Sequence, residues 1–451
     1  MSGYWNQEEI RLFLKQVCSE IRAREVHQGV CRELESHLEE LIEDRLAQGD
    51  DRDTAVREAI RRMGSPKIIG EQLNRAHRPR VDWGMLGLVA LLMLVGLVAV
   101  FSAYQAMDGR ARLGAFHLKQ IFYFTVGGCL MLGIGFSNYT KWAKYAWGMY
   151  VGMLALLVYG LVTSTTMNGL RGIINTPPFH LNPVFLSPYV FLIALAGIWS
   201  KPIPSGTGEP FWTRAIRHIW LTAGVLWVPA ILLLYAHSIM NFVLLIIGGM
   251  TLVVILKKSV AVLLAHLSLV VVAVGIFLAK LAAHANARQS FLAWIRPNTD
   301  PNGENYMITQ SKHAIQSAGW QGHGFGAQLS TLPYLQESMM FPFLIYCFGW
   351  LAGICLVLVI LMFIQRCIRV ARTVQDDYGK AMVSALLTII AVQYLWNMLM
   401  SVGLAPLSSF SLPFVSFNGS LVVMQFIAIG LALSVYRRKD IVRWSRMPEM
   451  D

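Results

Sequence analysis

The chain has 451 residues, of which 55% are hydrophobic and only 14% are charged, with a formal net charge of +12. About a quarter of a soluble domain's residues are charged, so this composition excludes a chain solvated by water alone. The basic excess does not describe a nucleic-acid binder either, because it lies in short patches between apolar runs rather than on one soluble face.

Residues 1–80 stand apart, holding 14 of the 38 Lys and Arg and 15 of the 26 Asp and Glu. They read as a compact helical module. Leu34, Leu38, Leu41 and Leu46 form an apolar stripe on a helix otherwise dense in Glu and Arg. A break at Gly49 to Asp53 is followed by Asp53-Thr54-Ala55-Val56, which suits a helix start, and Gly64-Ser65-Pro66 suits a stop and a new start. The six cysteines, Cys18, Cys31, Cys129, Cys347, Cys355 and Cys367, show no close paired spacing, so neither a disulfide framework nor a zinc site is expected. No cleavable signal peptide is visible, since the first strong apolar run begins near Gly84, behind this module, so the N-terminus is expected in the cytoplasm.

Ten apolar runs follow, each long enough to cross roughly 30 Å of hydrocarbon at about 1.5 Å per residue. They fall near 84–106, 118–137, 141–163, 184–200, 217–236, 238–256, 259–282, 342–364, 381–402 and 418–436. The expected fold class is therefore all-α: a polytopic membrane domain over 81–451, behind a soluble helical domain over 1–80. Lys and Arg collect in alternate loops and in the tail, among them Lys141, Lys201, Lys257, Arg366, Arg369 and Arg437, so both termini are expected inside. Two sizeable loops then lie outside, at about 164–183 and about 283–341. The second, near sixty residues with no apolar run of its own, is the place to look for chemistry.

Two resemblances sharpen this reading. The stretch from Glu33-Leu34-Glu35-Ser36-His37-Leu38 through Ala59-Ile60-Arg61-Arg62-Met63-Gly64-Ser65-Pro66 resembles the small prefix domain found before some bacterial permeases, which implies a docking or regulatory module. Toward the end, Asn397, Gly403-Leu404-Ala405-Pro406 and Leu412-Pro413-Phe414-Val415-Ser416-Phe417-Asn418-Gly419-Ser420 resemble the signature of the SEDS family of shape, elongation, division and sporulation proteins, which includes FtsW and RodA. Trp294-Ile295-Arg296-Pro297, Asp300-Pro301-Asn302-Gly303, Gln310-Ser311, the spaced glycines Gly319, Gly322, Gly324 and Gly326, and Phe348-Gly349-Trp350 extend that likeness through the large loop. Pro and Gly break helices where backbone re-enters or lines a cavity, which lipid forbids unless protein covers it.

The resemblance implies a bacterial plasma-membrane protein that polymerises peptidoglycan from lipid II or another undecaprenyl-linked precursor, beside a class B penicillin-binding transpeptidase. It implies no cofactor and no nucleic acid, and membrane lipid as a constant neighbour. Such chemistry needs a carboxylate to take a proton from the attacking sugar hydroxyl and positive charge to steady the departing lipid diphosphate. This chain departs from the family there. Ser338 stands at the position of the family's essential Asp and Tyr334 at that of a Glu, while Asn182-Pro183-Val184-Phe185 and Ala236-His237-Ser238-Ile239-Met240-Asn241 replace two further acidic motifs.

Among the outward-facing acids Asp108, Asp300, Glu304 and Glu337, the candidate base is Glu337, next to the lost Asp; the bland alternative is an exposed carboxylate that a helix N-terminus favours. For the substrate the resemblance points to Gln310 and Ser311. Arg171, Arg288, Arg296 and Lys312 are the cations for a diphosphate, Arg offering a forked donor. His180, His284, His313 and His323 lack metal-ligand spacing. Three classes stay open: a glycosyltransferase using Glu337, a non-catalytic scaffold or regulator of cell-wall assembly that binds precursor or partner, and a lipid flippase. Spans nearly free of acidic residues argue against a proton-coupled transporter.

Overall fold

The computed structural model describes residues 7–21, 27–76, 81–107, 115–163, 174–176, 179–201, 211–283, 294 and 305–444. The chain divides into two units, one of residues 1–82 with the C-terminal stretch from Tyr436, the other Trp83–Val435.

In the first unit, α1 (Gln7–Glu20), α2 (His27–Ala47), α3 (Arg52–Met63) and α4 (Pro66–Ala76) pack with α1 against α4 and α2 against α3. Val17, Val30, Leu38, Ile42, Val56 and Ala59 form a fully buried centre, and Leu34, Leu41 and Leu46 pack partly buried around it. The Leu stripe thus faces the core. The start of α3 lies earlier than the sequence suggests, since Asp51 is its N-cap and Asp53 falls in its first turn, where negative charge suits the helix dipole. Gly64, at φ 93°, ends it. A further difference concerns the cysteines. Thirteen residues apart on two helices, Cys18 and Cys31 are brought side by side, with sulfurs 2.9 Å apart.

The second unit is the membrane bundle. Each expected span finds a helix: α5 (Trp83–Ala106), α6 (Phe116–Phe136), α8 (Ala146–Thr163) behind the short α7 (Thr140–Lys144), α9 (Pro183–Trp199), α10 (Phe211–Tyr235), α11 (Ile239–Leu252) continued by a π turn to Lys257, α12 (Val260–Ala283), α14 (Met340–Thr373), α15 (Asp377–Ser401) and α16 (Ser420–Trp444). Within the large loop between α12 and α14 stands α13 (Tyr306–Ser317). Among the described residues eight helices are long and apolar enough to cross a membrane by themselves. Two apolar stretches are shorter, Ile219–Tyr235 within α10 and the whole of α9. The 17 residues of α9 reach only about 25 Å. It needs no full span of lipid-facing side chains, because α8, α11 and α15 enclose it and most of its residues are buried. Asn182 caps it, its side-chain oxygen accepting from Val184 N at 3.1 Å, with Pro183 at the first helical position.

Ahead of α9 lies the one strand pair among the described residues, a hairpin of β1 (Ile174–Thr176) and β2 (Phe179–Leu181) with Asn175 opposite His180. Between α10 and α11 the chain turns at His237, whose φ of 59° lets Tyr235 and Ile239 end consecutive helices. Deep in the bundle the Tyr189 hydroxyl donates to Gln393 Oε1 at 3.0 Å, and Gln425 Nε2 donates to the same oxygen at 3.3 Å. That network ties α9, α15 and α16 where no water competes.

Candidate functional site

The helix α14 is broken near its start, at Gly349, whose φ of 82° and ψ of 175° lie outside the helical region. A helix broken inside the bundle strands backbone groups that must find partners. The glycine-rich loop supplies them. His323 N donates to Tyr346 O at 3.0 Å, Gly324 N to Cys347 O at 2.9 Å, and Trp350 N to Gly319 O at 2.9 Å. Two main chains approach so closely that a Cβ on Gly349 would lie 2.2 Å from Trp320 O, and one on Gly322 2.3 Å from Cys347 O. The spaced glycines are therefore a backbone clasp on the broken helix, which explains their pattern without a phosphate-binding role.

Past the clasp, residues Leu332–Met339 run as a chain of turns into α14. Tyr334 takes a φ of 54°, and its carbonyl accepts from Glu337 N and Met339 N at 3.0 and 3.2 Å. This curl turns Leu335, Gln336, Ser338 and Met339 inward and leaves Tyr334 and Glu337 exposed.

Asn397, fully buried in α15, fastens the curl: its Nδ2 donates to Ser338 O at 2.8 Å and to Phe410 O at 2.6 Å. Phe417 N donates to Gln336 O at 2.8 Å, so the segment after α15 is fastened to the same curl. That segment is a re-entrant loop. Its Phe414 carbonyl touches α5 where a Cβ on Gly96 would lie 2.1 Å away, ten residues or about 15 Å below the end of α5 at Ala106. Tyr394 OH caps Pro413 O at 2.7 Å, Trp396 Nε1 caps Pro406 O at 3.2 Å, and Leu412 N is taken by Ser416 Oγ, so side chains satisfy backbone that has left helical geometry. The Pro and Gly pattern of the signature is thus read correctly as backbone folded into the bundle.

Beside this loop, α13 carries Gln310, Ser311 and Lys312. Ser311 is fully buried and its hydroxyl donates to Ser401 O at 2.6 Å, which braces α13 against the end of α15. Lys312 lies against Gly403, just past the C-terminus of α15, where the helix dipole favours a cation. Gln310 is half-buried on the same helix. Arg171, Arg288 and Arg296, like Asp108, Asp300 and Glu304, lie outside the described residues.

Glu337 is the one carboxylate carried by residues 305–339. Although its side chain reaches solvent, the protein around it strips away part of its hydration and pushes its pKa above the ordinary carboxylate range. A carboxylate of raised pKa is a stronger proton acceptor once ionised. Ser338 is buried and presents its carbonyl to Asn397, and its hydroxyl is no acid or base at neutral pH. A cavity of about 230 Å³ opens next to the curl, lined by Ala106, Met107, Gln328, Leu332 and Tyr334 among others.

Sequence reasoning passes over Gln336 and Gln120, both buried. Gln120 lies one turn from Phe116, whose ring is 5.7 Å from that of Phe417, and its amide atoms meet no hydrogen-bonding partner among the described residues. A lone amide in an apolar run is the signal that marks Gln120, Gln393, Asn397 and Gln425 alike. Among the described residues no three His, Cys, Asp or Glu side chains gather as a metal site.

Fold and site together define a polytopic membrane protein in which a curl and a re-entrant loop are joined by a buried asparagine. Residues 82–441 match the FtsW/RodA/SpoVE family of cell cycle proteins, and the chain belongs to that family. A probable peptidoglycan glycosyltransferase FtsW of Trichlorobacter lovleyi is 27% identical over 367 residues, which cover 77% of this chain and 92% of that one. The stage V sporulation protein E of Bacillus subtilis is 24% identical over 361 residues, 78% and 96% of the two chains. Among solved structures, a chain of a peptidoglycan synthase complex superposes with a TM-score of 0.65 at 21% identity over 80% of this chain and 98% of its own. The Thermus thermophilus rod shape determining protein RodA gives 0.57 at 19% identity, covering 80% and 97%.

Proposed function

We propose that this protein works in peptidoglycan assembly at the outer face of the bacterial plasma membrane, engaging lipid II with the face that carries Glu337. The observation that carries the reading is the curl itself. A single exposed carboxylate of raised pKa sits on a segment whose neighbouring carbonyls, Ser338 O and Gln336 O, accept from the Asn397 side chain and from Phe417 N, at the end of a bundle with the family's fold. In this reading Glu337 takes the proton from the attacking sugar hydroxyl, and Lys312 adds positive charge toward the diphosphate that leaves. A penicillin-binding transpeptidase is the proposed partner, in line with the chain of like fold that belongs to a peptidoglycan synthase complex coordinating polymerisation and crosslinking.

Polymerisation of purified lipid II, alone and with candidate transpeptidases, tests this. Glu337→Gln keeps the shape and removes the acceptor, so the rate is expected to fall on the order of 100-fold or more. Native activity that survives the change removes Glu337 as the base. One observation favours a second reading, binding without catalysis: the buried Ser338 where the family has its Asp. That reading expects no polymer from the native chain under conditions where an ordinary family member with its partner works.

We further propose that both termini lie inside, from the placement of Lys and Arg. In a chain otherwise free of cysteine, an impermeant thiol reagent on intact cells is expected to label Gln310→Cys and not Ser445→Cys. Labelling at 445 reverses the assignment.

A further inference from the structure

We infer that Cys18 and Cys31 form a site of reversible oxidation in the first unit, where a peroxide converts the two thiols to a disulfide that joins α1 to α2. Nothing in cell-wall chemistry uses these residues, and the inference does not depend on the function proposed above.

The geometry carries it. The two sulfurs are 2.9 Å apart, inside ordinary non-bonded contact, and a disulfide of about 2.05 Å asks for under about 1 Å of further approach. Buried cysteines that serve only as small apolar side chains have no reason to meet sulfur to sulfur. Packing cannot easily separate this pair, because Val17, Ile21 and Val30 hold both helices in one apolar core.

The two thiols differ in a way that orders the steps. Cys18 is 8% exposed, and its pKa is pushed up to about 12, first by burial and then by the hydrogen bond and charge of Cys31, so it keeps its proton. Cys31 is the more exposed and meets the oxidant. Its sulfur attacks hydrogen peroxide, the O–O bond breaks, and the products are the Cys31 sulfenic acid and water. The Cys18 sulfur then displaces the hydroxyl of that sulfenic acid, which departs with the thiol proton as a second water. Two sulfurs have together lost two electrons and the two peroxide oxygens have gained them.

The test uses the full-length protein in detergent, treated with hydrogen peroxide, alkylated, and digested without reductant for mass spectrometry. A peptide pair linked through Cys18 and Cys31, lighter by two hydrogens than the free peptides and released by dithiothreitol, is expected. Cys18→Ser is expected to stop at a Cys31 sulfenic acid that dimedone traps, and Cys31→Ser to give no link. The inference is overturned if both cysteines of the native protein stay alkylatable while the exposed Cys129 and Cys355 oxidise. It is equally overturned if Cys31 pairs between two chains and Cys18 stays free.

Discussion

The two units of this chain solve the same packing problem in opposite solvents. In residues 1–82 the centre is Val, Leu, Ile and Ala and the charges lie outside, as water requires. In the membrane bundle the outward side chains are Leu94, Val98, Val271 and Leu278, while Gln120, Gln393, Asn397, Ser401 and Gln425 are buried. Lipid is as apolar as a leucine, so burying leucine gains little there, and what holds the site is the satisfaction of backbone carbonyls that lipid could not satisfy.

That contrast can be pushed until it breaks. The largest effect is expected at Asn397→Leu, an apolar replacement of similar size that strands the carbonyls of Ser338 and Phe410 at roughly 1–3 kcal/mol each. Thermal unfolding in detergent should fall accordingly, and the curl at Glu337 should become open to proteases. An unchanged melting point would show that the clamp is incidental. Next comes a matched pair. Leu38→Ala removes a fully buried side chain from the first unit and should cost about 2–5 kcal/mol there. Leu278→Ala, on the lipid-facing side of α12, should cost less than about 0.5 kcal/mol in lipid. Similar losses from both would erase the distinction.

The smallest effect concerns Glu337 and has a sign fixed by its raised pKa. The folded state holds this proton more tightly than the unfolded chain does. Its stabilising contribution is therefore full below the unfolded pKa and is lost as pH rises through the higher folded value. Glu337→Gln stays neutral throughout, so it should melt slightly above the native protein at neutral pH and converge with it in acid. A native protein that gains stability relative to Glu337→Gln as pH rises would contradict the desolvation described here.

The ten apolar helices were legible because each is an apolar run, eight of them long enough to cross a membrane by themselves and α9 and the apolar part of α10 shorter. The enclosure of α9 was not legible, since burial by α8, α11 and α15 depends on contacts far apart in sequence. The signature strings were visible as broken backbone. What they fold against was hidden: Asn397 and Ser338 are separated by 59 residues, and no periodicity links them. For the same reason the bond from Ser311 to Ser401 was hidden, and Cys18 and Cys31, thirteen apart on different helices, showed no pairing. Position 51 rather than 53 caps α3 because either Asp suits a helix start, and only the turn at Gly49 selects between them.

The fastening of the curl also sets a timetable for biosynthesis. Residues 332–339 leave the ribosome before Asn397 and well before Phe417, so the segment that bears Glu337 is made while both of its fasteners are still unsynthesised. A nascent chain halted after α14 would hold a membrane-inserted bundle with a loose carboxylate, and one halted after α15 would have the asparagine but not the re-entrant loop. The curl is therefore fastened only once the re-entrant loop has been made, just ahead of the last helix, so a product truncated before Phe417 lacks at least one of its two fasteners.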